Sequence, residues 1–378
     1  MVNKVFRTGT HRVRLPEQTW ELIEPVLGDY GITRVADVTG LDVLGVPVVM
    51  SVRPLSRTLT VSQGKGQTLL LAKVSAAMES IEFWHTESHR RPHSHRQVPA
   101  GGLGLPYRVE QLSSGPDALV TENTPLDWMD ATGLQSGATV PVPATVVTAP
   151  AHRKPWSSPG LFWSTNGLAS GNSHQEACLH ALYELIERDA VSRRGGAAST
   201  EYVEPASVAD ESCAELIERI TAAGASLRII RVPSRFDVPC FGATVWSPEF
   251  PLVCFGWGAH LDPGVAVSRA VTEAVQSRLT AIAGSRDDLP SYYQQVRINT
   301  EEPAPVDGSA ISWADARGSG PGAFDDLTDE LVWVCAKVAE LTGAEPLCVD
   351  LSTAEEFAVV KVVAPGIAFD MDRIHATR

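Results

Sequence analysis

The chain has 378 residues, enough to bury a large core in one domain or two. With 44% hydrophobic and 20% charged residues it has the composition of a soluble globular protein, and a net charge of −14 argues against nucleic acid as a main partner. No N-terminal apolar run and no apolar stretch of membrane-spanning length occurs, so neither signal peptide nor membrane span is expected, and a cytoplasmic location is.

In chain order, a basic start with Gly9, Thr10, His11, Arg12 and Arg14 leads to a helix at Trp20–Leu27 opened by Pro16. Residues 31–54 read as two strands punctuated by Gly40 and Gly45-Val46-Pro47. Residues 58–66 end in the glycine-flanked Lys65, and Gln67–Trp84 has a helical period with Leu70, Val74, Met78 and Ile81 on its apolar side. The basic stretch 88–107 carries His89, His93 and His95 without cysteine or a fixed HxxxH spacing, and reads as a mobile, substrate-facing loop rather than a zinc site. Strands are expected at Leu126–Met129 and Thr139–Val147, followed by a proline-broken connector at 152–160. A small, polar loop from Ser164 to Ser173 then leads into a helix capped by Asn172 or Ser173.

Beyond that helix, Asp210–Ala223 and the strand Ser226–Val232 form a helix–strand crossover, and Cys240–Trp246 with Leu252–Gly258 an antiparallel pair. A helix starts at Pro263 and stops at Gly284. Residues 298–328 read as acidic loop, Asp329–Leu341 as a helix, and Pro346–Leu351 and Ala358–Pro365 as strands. The class is α/β with short strands, undivided into independent domains. Cys178, Cys213, Cys240, Cys254, Cys335 and Cys348 form no CxxC pair and are expected to be buried small hydrophobes in a reducing compartment.

The chemistry is carried by carboxylates. On the central helix Glu184 and Glu187 stand about 60° apart, and Glu176, two turns earlier, lies within about 80° of either. Leu179, Leu182, Leu185 and Ile186 form its apolar stripe. A solvated face would pair each Glu with Lys or Arg four residues on; Glu184 has Arg188, but Glu176 has His180 and Glu187 has Val191. The pattern recurs: Ser75, Glu79 and Glu82 share one helix face, followed at that spacing by Glu79, Phe83 and Thr86, and Glu273 and Gln276 stand three apart on a third helix. A cation between such carboxylates removes their repulsion. The sequence has no P-loop, dinucleotide fingerprint, GxSxG or HExxH. Three carboxylate-bearing helices with Lys65, Arg188, Arg278 and Arg286 suit a Mg²⁺-nucleotide site built without a P-loop. Arg286 has the competing role of an ion pair with Asp287 or Asp288.

TNGLASGNSHQEACLHALYELIERD, with SAAMESIE upstream and AVTEAVQSRLTAIAGSRDDL downstream, resembles the YcaO family from about Gly9 to Gly366. GTHR, GITRVADVTGLDVLGVPV and VSQGKG look most like its TfuA-associated branch. The resemblance implies one YcaO domain over residues 1–378, of mixed sheets with helices enclosing ATP and Mg²⁺. The ATP-binding core would cover about 58–290 and a C-terminal α/β segment about 329–366. Glu79, Glu82, Glu176, Glu184 and Glu187 would bind Mg²⁺ or lie beside it, and Glu273 matches the family's third carboxylate motif. Ser75, Asn172, Gln276, Arg188 and Lys65 would contact ATP, and Arg286 a phosphate; no catalytic base is implied.

The implied activity is ATP-dependent O-phosphorylation of a backbone amide in a ribosomally made peptide. An internal Cys, Ser or Thr nucleophile then gives an azoline, external sulfide a thioamide, and an amine an amidine. Azoline-forming members often end in PxPxP, whereas this chain ends HATR, which favours thioamide formation. No room for a fused leader-binding domain precedes Gly9, so a TfuA-like or separate leader-binding partner is expected, together with a homodimer. The reading from another class is a nucleotide-binding accessory protein.

Overall fold

The computed structural model describes residues 2–88, 92–112, 119–150, 161–194, 200–286, 301–302, 308–318, 320–322 and 324–370. In chain order the elements are α1 (Pro16–Ile23), β1 (Arg34–Asp37), β2 (Val48–Val52), β3 (Val61–Lys65), α2 (Leu69–Ser88), β4 (His95–Pro99), β5 (Pro125–Gly133), β6 (Thr139–Pro143), α3 (Ala144–Val147), β7 (Leu168–Gly171) and α4 (His174–Arg193). There follow β8 (Thr200–Val203), α5 (Glu211–Ala222), β9 (Ser226–Arg231), β10 (Cys240–Ser247), β11 (Phe250–Ala259), α6 (Pro263–Ala283), β12 (Gly308–Ile311), α7 (Trp313–Ala316), α8 (Leu327–Thr342), β13 (Leu347–Asp350) and β14 (Ala358–Val363). They divide into two compact units.

The first unit comprises Met1–Lys4, Glu82–Ser192 and Phe324–Ile374. Its sheet runs β4-β5-β13-β14-β7, with β6 also on β5, and every pairing described is antiparallel. Trp128, Leu126, Val109, Val120 and Leu161 form an apolar cluster in this unit, with the Trp128 indole N–H spent on the Val98 carbonyl. Helix α8 is opened by Asp326, which accepts from the Thr328 and Asp329 amides, and closed by Gly343 in the left-handed region. Here 88–107 departs from the expected loop, because His95–Pro99 pairs with β5. It is an edge strand whose side chains face solvent, with a register shift at Gln97 (φ 53°), so it lacks the alternation that marks a half-buried strand. His89 and the connector 152–160 lie outside the described residues. The predicted strand Thr139–Val147 stops at Pro143, where α3 begins.

The second unit is built from Val5–Ile81 and Arg193–Ala323. One sheet is the antiparallel β1-β2-β3; the other has the order β11-β10-β9-β8-β12, in which β8 and β12 are parallel. The predicted α5–β9 crossover therefore feeds antiparallel partners, since β9 lies between β8 and β10 and pairs antiparallel with both. Helices α5 and α6 bury Leu216, Ile220, Val271 and Val275 in one core with Ile229, Phe241 and Val245 of the larger sheet. Pro263 opens α6 and Gly284 (φ 57°) ends it, as read from sequence, and Asp262 caps it through the Gly264 amide. At Gly256 of β11 a Cβ would stand 2.2 Å from the Ala270 carbonyl, so only glycine lets α6 lie this close, which fixes the turn carrying Glu273. Residues 308–316 of the predicted acidic loop form β12 and α7.

Candidate functional site

In the first unit the site is organised on α4. Within the loop expected at 164–173, Leu168–Gly171 form β7, buried along its length and paired with β14, and the residues on either side of it are irregular. Gly171 ends this strand against the helix: a Cβ there would stand 2.5 Å from the Ala177 amide and 2.9 Å from the Glu176 Cβ. Ser173 caps the helix, its Oγ accepting from the Glu176 amide at 3.2 Å. Glu176 Oε1 in turn accepts from the Asn172 amide at 3.1 Å and the Asn172 side-chain amide at 3.0 Å. Asn172 thus aims a carboxylate as well as standing where a nucleotide contact was expected.

Burial decides against a solvated face. Glu176 is 3% and Glu187 2% exposed, while Glu184 and Arg188 are half-buried. Arg188 Nη1 lies 3.7 Å from Glu187 Oε1. The predicted stripe of Leu179, Leu182, Leu185 and Ile186 is buried throughout. Glu82 reaches the same neighbourhood: Ser170 Oγ of β7 donates to its Oε1 at 2.5 Å, two residues before Asn172. Lys361, alone in the apolar strand β14, is 3% exposed and donates to the Ser164 and Asn166 carbonyls at 2.7 and 2.6 Å. Burial brings its amine down to about 8, while the charge of Glu184 pulls it back up. Sequence reading missed Ser170 and Lys361, although a lone lysine inside AVVKVVAP was a signal for the second.

In the second unit Lys65 at the end of β3 forms an ion pair with Glu273 of α6 at 2.7 Å. Gln276, three residues on, donates to the Gln63 carbonyl at 2.5 Å, and Thr280 donates to the Gln63 side chain. Ser75 and Glu79 are half-buried on α2, and Arg286 is half-buried just past α6; Asp287 and Asp288 lie outside the described residues. Arg278 departs from the expected phosphate-facing set. It is 1% exposed, with Nε 2.8 Å and Nη2 3.2 Å from the two Asp42 oxygens, and it also donates to the Phe250 carbonyl and Ser247 Oγ. Its donors hold the fold.

A family model described as YcaO cyclodehydratase, ATP- and Mg²⁺-binding, matches residues 63–368. An uncharacterized protein of Mycobacterium tuberculosis is 40% identical over 365 residues, spanning 96% of this chain and 83% of its own. An uncharacterized protein in the tfuA 3′ region of Rhizobium leguminosarum bv. trifolii is 38% identical over 304 residues, 75% of this chain and 71% of its own. Among solved structures, YcaO from Methanopyrus kandleri bound with AMPPCP and Mg²⁺ aligns with TM-score 0.74 at 24% identity, covering 100% of this chain and 98% of that one. A heterocyclase in complex with substrate and cofactor aligns with TM-score 0.75 at 21% identity, covering 97% and 54%. These two likenesses establish the mixed α/β fold. The family match across most of the length, with relatives this similar, places the chain in the YcaO family.

Proposed function

We propose that this YcaO protein uses ATP and Mg²⁺ to activate a backbone amide of a ribosomally made precursor peptide, and that external sulfide then converts that amide to a thioamide. The observation that carries the reading is the pair of buried carboxylates, Glu176 and Glu187, on one face of α4. Carboxylates are costly to bury, and a hard divalent cation offsets that cost. The donor set is all oxygen, which fits Mg²⁺.

Glu176, Glu184 and Glu187 with Glu82 and Glu79 would hold the metal, and Asn172 fixes the Glu176 carboxylate in one orientation. Arg188 and Arg286 would meet phosphate charge, and Ser75, Lys65 and Gln276 the nucleotide. Lys65 and Gln276 are held in place by Glu273 and the Gln63 carbonyl. Glu273 would act as an orienting partner, or as a further metal ligand. When bound, ATP supplies the phosphoryl group that makes the amide oxygen a leaving group. The protein's part is to position the peptide carbonyl and neutralise charge.

Sulfide as the nucleophile is supported by the resemblance to the TfuA-associated branch and by the relative in a tfuA 3′ region. A TfuA-like or separate leader-binding partner would deliver the peptide, and the active form would be a homodimer. The test is incubation with precursor peptide, ATP, Mg²⁺ and sulfide, read by mass. Exchange of one oxygen for sulfur supports the thioamide, and loss of one water means an azoline instead. With an amine as the nucleophile, loss of one water means an amidine. An unmodified peptide with intact ATP favours the accessory role.

A further inference from the structure

The proposed chemistry uses one face of α4. The opposite face carries His174 and Cys178, one turn apart and each about 160° around the helix from Glu176. Strand β13 of the same unit brings Cys348 to them from 170 positions away in the sequence. Their donor atoms lie within 4.8 Å of one another. The Cys178 and Cys348 sulfurs are 3.7 Å apart, and His174 Nε2 is 3.6 Å from Cys348 Sγ and 3.9 Å from Cys178 Sγ. Both thiols are buried, and His174 is exposed at the rim.

We propose that His174, Cys178 and Cys348 form a zinc site separate from the carboxylate face. With Zn–S near 2.3 Å and Zn–N near 2.0 Å, a tetrahedral centre sets its sulfurs about 3.8 Å apart and sulfur from nitrogen about 3.5 Å. The observed separations match those edges, so the ion enters with little rearrangement. A disulfide requires about 2.05 Å between the sulfurs and would draw Cys178 and Cys348 together across the helix–strand contact. Charge also favours the ion: two thiolates and a neutral imidazole around Zn²⁺ sum to zero, so no net charge is buried. The two thiol protons leave to solvent as the ion binds. Three protein ligands leave a fourth position for water on the side where His174 reaches the surface.

The test uses the full-length protein, reduced, with Mg²⁺ and a non-hydrolysable ATP analogue in excess so that carboxylates are engaged. Titration with Co²⁺ is expected to give one equivalent bound, with an intense thiolate-to-cobalt band that Zn²⁺ bleaches. Cys348→Ser and His174→Ala should each reduce that band at least tenfold while melting like the parent protein. Cobalt bound at carboxylates gives no thiolate band, so failure of the nucleotide reading is distinguishable. Absence of the band in the reduced parent protein overturns the proposal. So does finding two fewer free thiols than the six cysteines in protein purified without reductant, then unfolded with a chelator present so that any bound metal is released, because a Cys178–Cys348 disulfide would then be the native state.

Discussion

Glu187→Gln separates a structural carboxylate from a metal ligand. The side chain is 2% exposed, and the substitution keeps its shape while removing its charge. In the ligand-free protein the change also removes the ion pair with Arg188, so each protein's own ligand-free melt is the baseline. The diagnostic deficit is in the gain on adding ligand. A nucleotide–Mg²⁺ complex present at a hundred times its Kd stabilises the parent protein by about 2.7 kcal/mol. The unfolding entropy, about 2.1 cal/mol/K per residue over 378 residues, comes to about 0.8 kcal/mol/K. The parent protein should therefore gain roughly 3 °C with a non-hydrolysable analogue and Mg²⁺. Glu187→Gln should lose most of that gain, and its ATP turnover should fall more than about a hundredfold. Thermal melts with and without ligand, beside a phosphate-release assay, give both readings. Full turnover with an undiminished ligand shift would refute the metal role.

Asn172→Ala removes the side-chain donor that aims Glu176 and should raise the Mg²⁺ requirement for turnover about tenfold with little change in melting; an unchanged requirement would leave Asn172 no orienting role. Asp42→Ala strands the buried Arg278 guanidinium and should cost about 3–5 kcal/mol in urea melts, so a cost within error would show that Ser247 and the Phe250 carbonyl suffice. Asp262 is held below its ordinary value of 3.8, chiefly by the hydrogen bond from His11, against the opposing effect of burial. Its folded form binds fewer protons than the unfolded chain, so its contribution is present above 3.8 and lost as pH falls through the folded value. His11→Ala should therefore move the acid-unfolding midpoint to higher pH, and an unmoved midpoint in a pH series of melts would assign the depression to the Gly264 and Val265 amides.

The longer helices were legible because what specifies them is local, whereas the one-turn helices α3 and α7 were read as strand and loop. Asp262, Pro263 and Gly284 write the start and stop of α6 into adjacent residues, and Asp210 does the same for α5. The missed strands lack any local signature. β4 is a charged edge, and β7 is built of Leu168 and three small residues because it lies against α4. β8 and β12 pair across more than a hundred residues, so neither carries a hairpin signal. In each case the strand is made by its partner rather than by its own side chains.

The same division runs through the candidate site. Glutamates at helical spacing, with no Lys or Arg four residues after Glu79, Glu82, Glu176 or Glu187, could be read from the helical period, and Glu176 and Glu187 are indeed buried. The groups that act on them come from elsewhere: Ser170, 88 positions beyond Glu82, donates to it, and the charge of Glu184 raises the affinity of Lys361 in β14 for its proton. Arg278 makes the point in reverse, since its place on a carboxylate-bearing helix suggested phosphate until Asp42, 236 positions away, took its donors. Cys178 and Cys348 follow the same logic. Six cysteines without regular spacing read as packing, and all six are buried. Spacing in sequence finds only metal sites whose ligands share a loop or a helix. A site with two ligands on a helix and one on a strand is set by tertiary packing, so the scatter of the cysteines carried no information against it.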